Sequence, residues 1–146
     1  MTDSTNAIVQ YVLMRLRSAA EGLGLQGVWL GDQNLMPTTP NACVIPGPTN
    51  IELAGANRYS QWTFEVFVLV YHGKIQETQQ AEEECMQLAE ALTLFLNKLI
   101  SCKGLLVHSM VTAIEPGYSE RNNAMYRTSR ITLQGYSRIT LPLEEE

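Results

Sequence analysis

Tyr59-Ser60-Gln61-Trp62-Thr63-Phe64-Glu65-Val66-Phe67-Val68-Leu69-Val70-Tyr71 is the stretch that decides how this chain folds. It is rich in β-branched and aromatic residues and holds neither glycine nor proline. It lies between Gly55-Ala56-Asn57 and Gly73, and so predicts a long strand. Its even positions, Trp62, Phe64, Val66, Val68 and Val70, are all apolar and form the core face. Its odd positions begin polar (Gln61, Thr63, Glu65) and then turn apolar (Phe67, Leu69, Tyr71). One end of the strand therefore faces water on one side, while the other needs cover on both. Leaving Phe67, Leu69 and Tyr71 bare forfeits roughly 1.5–3 kcal/mol apiece, against a net domain stability of ~5–15 kcal/mol. A helix of the same chain or another subunit has to cover them.

Upstream, Ser4 to Glu21 predicts a first helix. Ile8, Val9, Val12, Leu13, Leu16, Ala19, Ala20 and Leu23 recur at three- and four-residue spacings and make one apolar stripe. Ser4 or Thr5 caps its start, and Gly22 and Gly24 stop it. Arg15 and Arg17 lie toward its C-terminal half, where the helix dipole favours positive charge. Residues 24–48 read as a long Gly/Pro-rich loop, with Gly27, Gly31, Pro37, Pro40, Pro46, Gly47 and Pro48 as punctuation. Within it Val28-Trp29-Leu30 is a short strand or a buried plug. Ala42-Cys43-Val44-Ile45 is a short strand ended by Pro46-Gly47-Pro48, and Ile51-Glu52-Leu53-Ala54 is a separate one at a sheet edge.

Downstream, a second helix runs from about Glu77 to Ile100, with Met86, Leu88, Ala89, Leu92, Phe95, Leu96, Leu99 and Ile100 on its apolar face. Gly104 stops it, and Lys98 and Lys103 sit at its end. Glu82-Glu83-Glu84 is no metal site, because consecutive helical residues point about 100° apart. It reads as a solvated face. Leu105 to Glu115 predicts a strand closed by Pro116-Gly117, and Tyr118 to Asn123 a polar connection that Asn122-Asn123 can turn. The last strand, Ala124 to Leu141, alternates: Met125, Ile131, Leu133, Ile139 and Leu141 on one side, Tyr126, Thr128, Arg130, Thr132, Gln134, Tyr136, Arg138 and Thr140 on the other. Pro142 ends it, leaving a short acidic tail at 142–146.

These elements specify a single α+β domain over residues 1–146, a mainly antiparallel twisted sheet with two principal helices packed against it. Such a domain has a radius of gyration near ~15 Å and a diameter of ~40 Å. At about 3.3 Å per residue the final segment would span ~55 Å. Either Gly135 marks a bulge or bend, or the final hairpin projects beyond the body. A projecting end rich in Tyr and Arg suits a subunit contact. The interface expected from these features comprises Phe67, Leu69, Tyr71, Tyr126, Arg127, Arg130, Tyr136 and Arg138.

The composition excludes several functions. A net charge of −5 argues against a general nucleic-acid binder. Cys43, Cys85 and Cys102 are odd in number and irregularly spaced, which fits reduced thiols rather than disulfides or zinc. The N-terminus lacks a basic leader and the longest apolar runs are too short for a membrane span, so a soluble protein made in a cytoplasm is expected. His72 and His108 have no acidic or thiol neighbour at ligand spacing, and no nucleophile, phosphate-loop, dinucleotide or zinc-protease motif occurs. Neither catalytic residues nor a cofactor or metal is expected. Arg121, Arg127, Arg130 and Arg138 place four of the ten Lys and Arg residues near the last strand, opposite in sign to the acidic second helix. Such an asymmetry suits head-to-tail contacts, and a plain solvated sheet face is the other, commoner outcome for such arginines.

The order helix, short strands, long strand, acidic helix, strand, long final strand resembles the tail terminator (tail-completion) proteins of tailed bacteriophages. The N-terminal helix, Pro37 to Pro48 leading into Arg58-Tyr59-Ser60-Gln61-Trp62-Thr63-Phe64-Glu65-Val66, the acidic helix, and Tyr126-Arg127-Thr128-Ser129-Arg130-Ile131-Thr132-Leu133 carry the resemblance. It covers nearly the whole chain and is architectural, without a diagnostic motif. It implies a virion protein assembled in the host cytoplasm, a homo-oligomer forming a hexameric ring that caps the head-proximal end of the tail tube. Its partners would be the tail tube protein and a neck or connector protein, with DNA passing through unrecognised and no membrane involved. A head–tail connector or stopper ring is the alternative of the same class, and a small ferredoxin-like regulatory ligand-binding domain that of another.

Overall fold

A computed structural model describes residues 5–33, 35, 37–54, 59–74, 79–99, 102, 106, 108–121 and 123–140. The elements in chain order are α1 (Thr5–Leu23), β1 (Gly27–Leu30), β2 (Asn41–Ala54), β3 (Tyr59–Lys74), α2 (Gln79–Asn97), β4 (His108–Arg121) and β5 (Ala124–Thr140). The strands form one sheet in the order β1-β2-β3-β5-β4. Only β1 and β2 run parallel; every other neighbouring pair is antiparallel. The α+β architecture read from the sequence is the one observed. The expected roles of Ser4, Glu77, Ile100, Lys103, Gly104, Leu105, Asn122, Leu141 and the acidic tail lie outside the described residues.

Strand β3 is central, and its even side chains Phe64, Val66, Val68 and Val70 are buried as its alternation requires. They meet Ile8, Val9, Val12, Leu13 and Leu16 of α1, and Leu92 and Leu96 of α2, in one core that also takes in Val44, Ile131 and Leu133. Both helices therefore cover the same face of the sheet. Helix α1 ends in a Schellman cap: Leu25 N–H donates to the Ala20 carbonyl at 2.8 Å and Gly24 N–H to Glu21 at 3.1 Å. Gly24 sits at φ +80°, where glycine has no Cβ to clash. The apolar stripe of α2 is buried at Ala89, Leu92 and Leu96, and Leu99 just past the helix end joins them, whereas Met86 stays exposed.

Three boundaries differ from the sequence reading. First, Pro46-Gly47-Pro48 does not end a strand: β2 continues from Asn41 to Ala54 as one element. The register slips there, from Pro46↔Val66 to Thr49↔Phe64. This bulge moves the helix-side positions of β2 from even (Val44, Pro46) to odd (Thr49, Ile51, Leu53). A Cβ on Gly47 would lie 2.9 Å from the Glu65 carbonyl oxygen, so only glycine fits. β1 pairs only with Asn41–Val44, leaving the rest of β2 an edge that needs no inward proline N–H. Ile51 and Leu53 are 56% and 78% exposed on the tip of this hairpin, past the Thr5–Thr49 hydroxyl contact that marks where α1 begins.

Second, Pro116-Gly117 does not close β4, which runs on to Arg121 with Pro116↔Ser129 and Gly117↔Thr128 in register. β4 too is an edge strand. Another edge position is occupied by a side chain: Val111 N–H donates to Asn97 Oδ1 at 2.8 Å. The chain reverses between the paired residues Arg121 and Ala124, with Asn123 at φ +62°. Third, β5 has no irregularity at Gly135, which pairs in unbroken register with Phe64 and Ser109. The slips lie instead between Val111 and Ala113 on β4 and between Tyr71 and Gly73 on β3. β3 accompanies β5 from Tyr59↔Thr140 to Lys74↔Tyr126, so the final hairpin does not extend far beyond the body.

The expected loop over 24–48 contracts to residues 31–40, because β1 and the start of β2 fall within it. With β1 only four residues long, this segment suffices to carry the chain back for the parallel pairing. Its first residues lie on the helix-free face, where Asp32 meets Tyr71 and Gln33 meets Cys43. Gly31 N–H bonds Val44 O at 2.9 Å, and further on the Asn41 side chain donates to the carbonyls of Pro37 and Thr38.

Candidate functional site

The sheet face away from the helices is the surface most in need of explanation. Trp29, Ile45, Phe67 and Leu69 lie on it, from β1, β2 and β3. Trp29 is 38% exposed, and no helix residue belongs to the small cluster containing Ile45 and Leu69. At one end of this face the chain supplies its own cover. Cys43, Tyr71 and Tyr126 are buried together, the two tyrosine rings edge-on at 6.3 Å between centroids.

Asp32 closes that end. Tyr71 Oη donates to Asp32 Oδ1 at 2.9 Å, and Arg121 Nη2 donates to Asp32 Oδ2. The Arg121 guanidinium lies over the Tyr71 ring, 5.9 Å from its centroid. Burial, and then the bond to Asp32, pushes the Tyr71 hydroxyl above its ordinary pKa. The Gln33 backbone N–H bonds the Cys43 sulfur, whose thiol burial pushes up to about 11.

The interface residues expected from sequence divide three ways. Phe67, Leu69, Arg130, Tyr136 and Arg138 share the helix-free face. Tyr71 and Tyr126 share it too but are only 1% and 8% exposed, Tyr71 held under Asp32 and Tyr126 packed edge-on against it. Arg127 is on the opposite face. It pairs with Gly73 next to the β3 irregularity and forks onto Glu82 of α2, with Nη2 2.6 Å from Oε1 and Nε 3.1 Å from the same oxygen. Its Nη1 donates to Thr128 O at 2.6 Å, and its guanidinium lies over Tyr118 at 5.6 Å. That hydrogen bonding holds the Glu82 carboxyl below its usual range. Arg127 thus ties helix to sheet.

The arginine cluster is therefore not a free basic face. Arg121 pairs with Asp32, Arg127 with Glu82 and Arg130 with Glu115, the last at 2.8 Å with the Arg130 guanidinium also over Phe67 at 4.8 Å. The charge asymmetry inferred from the sequence is largely neutralised within the chain. Sequence reading missed Asp32, Trp29 and Ile45. Trp29 and Ile45 carried a signal in their alternation; Asp32 carried none, its partners lying 39 and 89 positions away.

Glu82 and Glu120 are exposed, as are the neighbouring Glu83 and Glu84, and no group of three metal-ligating side chains gathers among the described residues. No helix among them is long and apolar enough to cross a membrane. The cysteines are free, Cys43 and Cys102 buried and Cys85 half-buried. His108 is exposed. His72 sits in the β3 irregularity with Nε2 2.8 Å from Ser129 Oγ. Burial, with the Arg127 charge adding to it, lowers its pKa to about 4. The unfolded chain then takes up a proton near pH 6.5 that the folded chain refuses until about pH 4. Stability consequently falls as pH drops through that window, by about 2 kcal/mol between pH 7 and pH 5. Urea unfolding of His72→Gln should show a flatter dependence over that range; a slope equal to that of the unsubstituted protein would assign the effect elsewhere.

No family model and no curated protein matches the chain. In fold it is similar to a chain of the solved structure "Virion of native gene transfer agent (GTA) particle". The likeness covers 90% of this chain and 92% of that one, at 14% identity and a TM-score of 0.50.

Proposed function

We propose that the chain is a structural protein of a phage-like virion, a tail terminator that closes into a ring on the head-proximal end of the tail tube. The supporting observation is a fold shared over nearly the full length of both chains with a protein of a gene transfer agent virion. The helix-free face, with Trp29, Ile45, Phe67 and Leu69 between Arg130, Tyr136 and Arg138, offers a surface for a neighbouring copy. Such a contact is heterologous: this face meets a different face of the next copy, and repetition closes a ring. The role is structural rather than catalytic. One side of the ring would match the last tube ring and the other a neck protein, with DNA passing through the centre without specific recognition.

Particle imaging of the purified protein, alone and with tail tubes, tests this. Annular particles near six protomers in mass, co-sedimenting with capped tubes, are expected. Rings that bind a connector but not tubes would make it a stopper. A chain that stays monomeric at high concentration removes the assembly reading and favours a regulatory domain.

A further inference from the structure

We propose that Asp32 is a latch: it holds residues 31–33, the start of the segment after β1, down over Cys43 and Tyr71, keeping that end of the helix-free face closed in the free protomer. Its release uncovers Cys43 and Tyr71, with Tyr126 packed beside them, as a continuation of the Ile45, Leu69 and Phe67 strip. The use of that strip in assembly rests on the ring reading; the latch itself rests on the contacts alone.

The bonds sort into two groups. Gly31 N–H to Val44 O, Gln33 Nε2 to the carbonyls of Leu30 and Gly31, and the Asn41 side chain to Pro37 and Thr38 all tie the segment to β1, to the start of β2 or to itself. Among the described residues of the segment, Asp32 alone hydrogen-bonds across to other strands, accepting from Tyr71 on β3 and from Arg121 at the end of β4. The Asp32–Arg121 pair is part-exposed, with side chains 32% and 31% accessible, so water can compete for it. The hinge is at hand, since Gly31 sits at φ +77°. Beneath lies a cluster separate from the main core. Opening here costs none of the α1 or α2 packing, which marks a local unit rather than a step in global unfolding.

The three cysteines report on this without added probes. Cys43 lies under the latch, Cys102 is equally buried but in the main core, and Cys85 is half-buried on α2. Maleimide labelling of the native protein, read at each cysteine by peptide mass spectrometry, compares the unsubstituted chain with Asp32→Ala. Cys43 should label about ten- to a hundredfold faster in the variant, the factor for losing charge-assisted hydrogen bonds, with Cys102 unchanged. Tyr71→Phe, which removes one of the two bonds and leaves the ring, should raise Cys43 labelling by a smaller factor. An unchanged Cys43 rate, or Cys43 and Cys102 rising together, overturns the latch. The covering role has its own readout: the Asp32→Ala protein should associate at lower concentration than the unsubstituted one. A variant that exposes Cys43 yet associates no more readily overturns that role. Absence of rings from the unsubstituted protein would refute the ring reading and leave the Cys43 result standing.

Discussion

Gly135→Val is expected to destabilise the protein by at least about 3 kcal/mol. The residue lies mid-strand in β5 with β3 on one side and β4 on the other. Even a single Cβ would come within 2.6 Å of Leu106 Cδ1, 2.8 Å of the His108 carbonyl oxygen and 3.1 Å of Ser109 Cβ. Leu106 could rotate away; the His108 backbone cannot without breaking the start of β4. Valine adds two methyl groups to that conflict, which far outweighs the few tenths of a kcal/mol a β-branched residue gains from strand propensity. Thermal unfolding followed by circular dichroism should show a midpoint lower by about 10 °C. A midpoint within about 2 °C of the unsubstituted protein would mean that the chain at 106–109 yields, and that Gly135 is not a close-approach glycine.

The second large effect is a contrast. Charge reversal at Arg127 should unfold or severely weaken the protomer, while reversal at Arg130 should leave it intact. Arg127 is 8% exposed and its guanidinium is committed to Glu82, to Thr128 O and to the Tyr118 ring. A glutamate there sets a poorly solvated carboxylate against the Glu82 carboxylate and the Thr128 carbonyl, a loss of about 2–3 kcal/mol. Arg130 and Glu115 are both about half exposed, so their pair contributes about 0–1 kcal/mol. Urea unfolding of both variants decides the matter; equal midpoints would show that the Arg127–Glu82 tie contributes nothing to the fold. It follows that Arg130→Glu, read by particle mass, is the usable probe of assembly. Arg127→Glu confounds assembly with folding.

Much of the fold was legible in the chain's periodicities. The two-residue alternation of β3 identified Phe64, Val66, Val68 and Val70 as core, and the helical stripe of α1 identified Ile8 through Leu16. These readings need only local information, since a pleat or a helix turn imposes its period wherever one face is buried. The prolines misled for a complementary reason. Pro46 and Pro116 have no N–H to give, but whether that ends a strand depends on which side of it has a neighbour. Both stand on stretches whose outer side is free, a fact about the sheet and not about the residues beside them. Gly135, read in sequence as a bulge unless the final hairpin projects, sits in unbroken register and gives clearance to β4. The site was the least legible part. Arginines 121 and 127 find their acids 89 and 45 positions away, so a cluster that looks basic along the chain is nearly neutral in space. Hydrophobic excess at Phe67 and Leu69 could be read from alternation; the partial lid over Tyr71 could not, because it depends on where one aspartate lands.

The prolines in β2 and β4, with Asn97 holding the Val111 amide, have a bearing on how copies can meet. A rim of unanswered amides invites any extended polypeptide to zip alongside and then to be zipped upon in turn, a growth with no natural end. Here both margins are studded with positions that refuse such a strand. If the chain forms the proposed ring, cohesion between copies falls to side-chain surfaces, whose fixed angle allows growth to stop at a definite number.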